Sequence, residues 1–314
     1  MRHATGHAAA LTAADDMLER ARLAGAAMIL PTDRTFPKAL RDLDELDATN
    51  LQYSPPFLFS LGHIDTLREP VVAIVGTRRA SPYGLRATRD VAHALAEAGA
   101  TIVSGMARGI DAAAHHAALE ASHTTVAILG TGVDIAYPAA HRGLHAEIAH
   151  KGLLLSEELP GERANGGSFP KRNRIIAALA QLTIVAEAPV KSGALITANY
   201  ATKLGRTVAA IPGPIDSPQS TGSNLLLRDG AQMIADVDDA LALINAPPRK
   251  HTEPAMRTPA ERAVWNALDA GPAHVDLVVA RSALPPRDCL AAITALELSG
   301  AIRCDASGEV RRAQ

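Results

Sequence analysis

From residue 71 to about residue 245 the sequence alternates short, unbroken apolar runs with stretches of helical periodicity, and that alternation leaves few folds open. The runs are VVAIV (71–75), TIVS (101–104), TVAIL (125–129), LLLS (153–156), LTIVAE (182–187) and TVAAI (207–211). Strands apolar at every position have both faces covered, as in a mostly parallel sheet enclosed by helices. The segments between them, such as LRATRDVAHALAEAG and GALITANYATKLG, place apolar residues along one helix face. The first of these helices is well punctuated, with Ser81 as N-cap, Pro82 in the first turn and Gly99 as the stop. The expected fold class is α/β: an extended Rossmann-like, doubly wound, mostly parallel sheet spanning residues 70–245.

The flanks read differently. Residues 1–69 offer one helix (ADDMLERARLAG), a strand at AMIL, a short helix at LRDLDEL and a strand at PPFLFSLG. They are too thin for a domain of their own and are expected to pack on the sheet edge. The segment NAPPRKHTEPAMR has three prolines and mixed charge, so residues 246–257 read as a linker. Residues 258–314 read as three helices and a β-hairpin, the pattern of a small winged helix-turn-helix with Trp265 in its core.

Composition bounds the setting. No apolar stretch approaches the ~20 residues of a membrane span, so no membrane partner is expected. The N-terminus, interrupted by Asp15 and Asp16, lacks the apolar core of a signal peptide. Two cysteines, Cys289 and Cys304, fit a reducing cytoplasm and supply neither a disulfide framework nor a metal cluster. The net charge of −2 means that a polyanionic partner must be met by charge gathered locally.

That charge gathers at one rim. Ligands of such a sheet bind outside the carboxyl ends of its strands. The segments following the strands there are GTRRASPYG, GMARGID, GTGVDIAYP, EELPGERANGGSFPKRNR, EAPVKSGALIT and PGPIDSPQSTGSN. Their glycines let backbone N–H groups approach a phosphate. Among them stand Arg78, Arg79, Arg108, Arg163, Lys171, Arg172, Arg174 and Lys191. A dinucleotide site would show GxGxxG after the first strand and an acid ending the second. Neither is present, GTG at 130–132 is only a fragment, and no GxxxxGK[ST] loop occurs.

A groove holding several phosphates fits better. FPKRNR (169–174) sets three cations and Asn173 beside an aromatic ring, the combination that single strands favour. KSG (191–193) supplies a cation, a hydroxyl and a helix N-terminus. Arg78 reads as a phosphate ligand, because a formal charge competes with salt better than neutral N–H groups do. Structural roles are expected for others. Arg86 and Arg89 are helix-face charges, and Arg174 braces the rim through a buried acid such as Glu157 or Glu187. Asp111 and Asp134 fix turns, while His115 and His116 are structural or solvent-facing.

In order along the chain, GTRRASPYG, VSGMARGIDAAAH, AILGTGVDIAYP, FPKRNRIIAALA, VAEAPVKSGALITANYATKLGR and IPGPIDSPQSTGSNLLLRDGA resemble the motifs of the DNA-processing protein A (DprA, or Smf) family, from about Pro70 to Ile234. The resemblance implies a protein without catalysis or cofactor that binds single-stranded DNA and forms a homodimer. It implies protection of incoming DNA during natural transformation, loading of the recombinase RecA and a C-terminal winged helix. Carried over motif by motif, the groove residues are Arg78, Ser104, Gly105, Arg108, Phe169, Lys171, Arg172, Asn173, Arg174, Lys191, Ser192, Gly193 and Asn224, with Phe169 nearest the bases. Two departures stand out. The first 20 residues lack the GxG signature of the small helical domain that opens many members, and the Glu158–Ser168 loop is not the proline-rich version.

Two other functions compete. Nucleotide phosphoribohydrolases of similar topology use a glutamate on the helix after a glycine loop, but no Asp or Glu lies between Gly193 and Pro214. A duplex-binding regulator would work through the winged helix, with Arg281, Arg287 and Arg303 on DNA and the Rossmann-like domain as a nucleotide sensor.

Overall fold

The computed structural model describes residues 2–45, 54–249, 256–305 and 307–312. It comprises two compact units, Met1–Pro248 and Arg249–Gln314. The expected linker at 246–257 falls largely outside the described residues.

The larger unit opens with α1 (Arg2–Leu23), β1 (Ala27–Ile29), a 3-10 segment (Lys38–Glu45) and β2 (Leu58–Gly62). Strands and helices then alternate: β3 (Val71–Val75), α2 (Pro82–Glu97), β4 (Thr101–Ser104), α3 (Ile110–Glu120), β5 (Thr125–Leu129), α4 (Arg142–Lys151) and β6 (Leu153–Ser156). The series ends with α5 (Ser168–Leu179), β7 (Leu182–Val185), α6 (Gly193–Lys203), β8 (Thr207–Ala210), α7 (Thr221–Arg228), β9 (Gln232–Met233) and α8 (Val237–Ala242). All six apolar runs are strands.

The sheet order is β1-β2-β6-β5-β4-β3-β7-β8-β9. The seven strands from β6 to β9 are parallel, while β1 and β2 join the β6 edge antiparallel. The N-terminal segment thus extends the sheet itself, and β9 adds a strand not expected from the sequence. Strand period explains the double burial. Val71, Ala73 and Val75 of β3 face one core, shared with α5, α6 and the 3-10 segment; Val72 and Ile74 face the other, shared with α2, α3 and α8. Leu40 and Leu43 of the 3-10 segment are fully buried in the first core, a gain of ~1.5–3 kcal/mol each. Chain direction reverses beside β3: the strands run outward through β4, β5 and β6, and α5 returns the chain to β7. Such a reversal opens a crevice at the strand ends.

The smaller unit holds α9 (Pro259–Ala267), β10 (Ala273–His274), α10 (Val275–Ser282), α11 (Pro286–Leu298), β11 (Ile302–Cys304) and β12 (Glu309–Arg312), with sheet order β10-β12-β11. Thr258 caps α9, accepting from the N–H of Glu261, and Pro259 opens the helix. Val264, Val278, Cys289, Leu296 and Val310 form the core. Trp265 sits at its edge, not its centre, half-buried beneath the Arg312 guanidinium at 4.2 Å. Its indole is large enough to close the core from outside.

Candidate nucleic-acid interface

The loop leaving β3 is fixed by a buried carboxylate. Glu187, past the end of β7, accepts from the Ser81 N–H and Oγ, each at 2.8 Å. A side chain at Gly84 would fall 2.5 Å from that carboxylate, so glycine is required at this close approach. With Ser81 pinned, Arg78 and Arg79 stand exposed at the ends of the central strands. Gly109 adopts φ 76°, in the left-handed region, where the β4–α3 turn presses against the Thr77 carbonyl. That turn carries Arg108, also exposed.

Beneath them lies Arg172 of α5, only 7% exposed. Its Nη1 donates to the Gly105 carbonyl at 2.7 Å and to that of Ile128. Gly105 is the place where a side chain would meet this guanidinium, at 2.5 Å from Nη1. Burial lowers the Arg172 pKa to about 10, opposed by the Asp111 carboxylate and reinforced by Arg78, so the group stays charged at neutral pH. Asp111 accepts from the Ala107 N–H at 3.3 Å, and burial raises its pKa against the pull of Arg172. It holds the turn, as its position after glycine implied.

These groups enclose a cavity of about 400 Å³, lined among others by Arg78, Arg79, Arg108, Tyr137, Phe169 and Arg172. The Tyr137 and Phe169 rings are tilted against each other with centroids 5.2 Å apart, and the Arg78 guanidinium lies 5.3 Å from the Phe169 ring. Both contacts are within the range of attraction for aromatic pairs and for cations over rings. No carboxylate among the described residues lines the cavity.

Of the thirteen expected groove residues, Arg78, Gly105, Arg108, Phe169 and Arg172 meet at this cavity; the others lie outside its lining. Lys171 is exposed and 3.4 Å from Glu157. Arg174 is 2% exposed and bonded to the same carboxylate at 2.6 Å, the brace expected of it. Ser104 is enclosed and donates to the Ile74 carbonyl. Asn173 donates to the Gly193 carbonyl, tying α5 to the start of α6, which Ser192 caps. Lys191 and Gly193 are exposed beside that cap. Asn224 holds Gly213 with both ends of its amide, each at 3.0 Å.

Tyr137 and Arg79 belong to the cavity although neither was assigned to the groove. The signal for Tyr137 was a ring beside proline in the loop after the third apolar run. His115 is fully buried in α3. Thr125 Oγ1 donates to the Ile102 carbonyl, so His115 Nδ1 donates to Thr125 Oγ1 at 2.7 Å and Nε2 carries no proton. Burial pushes its pKa down to about 3. His116 is exposed. Among the described residues no helix is long and apolar enough to cross a membrane, and no cluster fit to hold a metal occurs.

Comparison with known proteins agrees with this architecture. The family model described as DNA recombination-mediator protein A matches residues 27–245, and one for the DprA winged helix domain matches residues 246–308. The chain is 39% identical over 305 residues to the putative DNA processing protein DprA of Mycobacterium tuberculosis H37Rv, covering 93% of this chain and 78% of that protein. The X-ray structure of DprA from Streptococcus pneumoniae superposes with a TM-score of 0.64 at 39% identity, over 72% of this chain and 75% of that one. DNA processing protein A of Helicobacter pylori, whose structure addresses its single-stranded DNA binding mode, superposes with a TM-score of 0.62 at 33% identity, over 70% of this chain and 96% of that one. With a family model spanning most of the chain and a relative matched over nearly its full length, the chain belongs to the DNA recombination-mediator protein A family.

Proposed function

We propose that this protein binds single-stranded DNA without catalysis, protects it, and as a homodimer hands it to the RecA recombinase. The observation that carries the reading is the cavity rim. Arg78, Arg79 and Arg108 are exposed there, and among the described residues none of them forms an ion pair, while an aromatic pair stands beside them. Unpaired cations at a surface are available to phosphates, and rings beside them to unstacked bases. Lys171 and Lys191 extend the cationic track outward. Family membership and the binding mode described for the Helicobacter pylori protein support the same reading. Partnership with RecA implies a cytoplasmic site of action. The phosphoribohydrolase reading is the weaker one, since among the described residues no carboxylate lines the cavity to stabilise an oxocarbenium ion.

The test is fluorescence anisotropy with labelled oligo-dT and a matched duplex over a range of salt. Affinity for the single strand should fall with log salt at a slope of about −0.7 per phosphate neutralised. Arg78→Ala combined with Lys171→Ala should weaken binding and make that slope shallower by about 1.4. Preference for duplex with an indifferent double variant would overturn the reading.

A further inference from the structure

The turn between β4 and α3, which carries Arg108, is held at three successive residues by side chains from three different elements. The Gly105 carbonyl accepts from Arg172 of α5 at 2.7 Å, and the Met106 carbonyl accepts from His141 Nδ1 at 3.0 Å. The Ala107 N–H donates to Asp111 of α3 at 3.3 Å. A carbonyl only accepts, so Nδ1 carries the proton of the middle bond. Arg172 and Asp111 are enclosed charges. His141 is half-buried and lies outside the cavity lining, in the loop after β5 that also carries Tyr137.

The middle tie bears on a strained residue. Met106 has φ 60°, in the left-handed region, which residues with a side chain occupy only where their surroundings hold them there. Helix α4 supplies that hold at both ends of the residue. The Met106 side chain is fully buried in one apolar cluster with Leu144 and Ile148 of α4, and its carbonyl is taken by His141 at the N-cap position of the same helix. The imidazole makes no cap bond to α4, so its donor is spent on the turn. Two residues after Met106 the backbone delivers Arg108 to the cavity lining, and four residues before His141 it delivers Tyr137. His141 therefore joins the segment that carries the cation to the segment that carries the ring.

We infer that His141 is a positioning residue for strand binding: it does not touch the strand, and by holding the Met106 carbonyl it keeps Arg108 presented beside Tyr137 at the cavity. Without this donor the backbone between the two remaining ties is free to leave the left-handed geometry, and Arg108 turns with it. The inference rests on the single-strand reading above and deepens it.

The experiment measures oligo-dT affinity of the full chain by fluorescence anisotropy, with a urea midpoint for every variant. Two amides separate the roles, because the side-chain nitrogen of Asn falls near the place of imidazole Nδ1 and that of Gln near Nε2. His141→Gln should weaken binding about fivefold, the worth of one hydrogen bond. It should also make the salt slope shallower by about 0.7, the share of the one phosphate that Arg108 would hold. His141→Asn, uncharged but with the donor restored, should bind as the wild type does. Arg108→Ala combined with His141→Gln should bind no more weakly than Arg108→Ala alone, because both act on one contact. If His141→Gln does not fold, His141→Ala, which only truncates a half-buried side chain, carries the same expectations. Wild-type affinity in His141→Gln, an equal loss in His141→Asn, or a loss that adds to that of Arg108→Ala would each overturn the positioning role and leave strand binding standing. No binding of oligo-dT by the wild-type chain would overturn both.

Discussion

Between residues 256 and 312 seven arginines are matched by seven carboxylates, whereas at the cavity of the larger unit three exposed arginines have no ion-pair partner among the described residues. In the smaller unit Arg312 is bonded to Asp269 and to the Trp265 carbonyl while lying over the Trp265 ring. In the larger unit the arginines divide by depth. Arg172 and Arg174 are enclosed and bonded, and Arg78, Arg79 and Arg108 are left outside. A winged helix by itself suggests DNA, and Arg287 and Arg303 stand exposed on it, but its cations are offset by carboxylates of the same unit, whereas among the described residues no carboxylate lines the cavity of the larger one. Placement of charge is therefore more informative than its quantity, as the net charge of −2 already implied.

The contrast requires that enclosed polar groups of the larger unit serve stability and rim groups serve binding, which can be tested in descending order of effect. Unfolded, His115 takes up a proton near its ordinary value of 6.5; folded, it does so at about 3. Between those values the unfolded chain holds more protons, so stability falls as pH drops, by up to roughly 1.4 kcal/mol per unit. His115→Gln removes that contribution, so the gap in urea midpoint between wild type and variant should narrow as pH falls below 6.5. A constant gap would mean that the histidine is not held neutral.

Arg174→Ala leaves Glu157 enclosed with Lys171 as its remaining ion-pair partner among the described residues, and should cost about 3 kcal/mol in urea unfolding, the low end for breaking a buried pair. A loss of strand affinity without loss of stability would instead put Arg174 among the ligands. Arg79→Ala removes one unpaired rim cation, and should weaken oligo-dT binding several-fold at low salt while leaving the unfolding midpoint within about 0.5 kcal/mol of wild type. The smallest effect tests the other side of the comparison. Arg287→Ala with Arg303→Ala, in the charge-balanced unit, should change single-strand affinity by less than about twofold. A drop as large as that from the rim would erase the contrast.

Much of this was legible in the sequence, for identifiable reasons. Doubly buried strands announce themselves as unbroken apolar runs, and the glycines after them mark one rim; hence Arg78, Arg108 and FPKRNR were found together. Depth was harder to read. Arg172 and Arg174 lie two residues apart on one helix and are both enclosed, but in different surroundings, one on main-chain carbonyls and one on Glu157. Only the packing of α5 against the strand ends decides that. Tyr137 sits in a loop without periodicity, so nothing in the residue pattern aimed it at Phe169. The antiparallel β1 and β2 went unpaired in the reading because edge pairing depends on where a distant strand, β6, ends.

The return of α5 across the sheet has a consequence for how the protein is made. Arg172 follows Gly105 by 67 residues and Ile128 by 44. At synthesis rates of roughly 5–20 residues per second the rim therefore leaves the ribosome several seconds before its floor. A chain halted after β6 would show Arg78 and Arg108 with nothing behind them, an open patch of charge and no pocket. The pocket behind that charge therefore exists only once α5 has crossed the sheet.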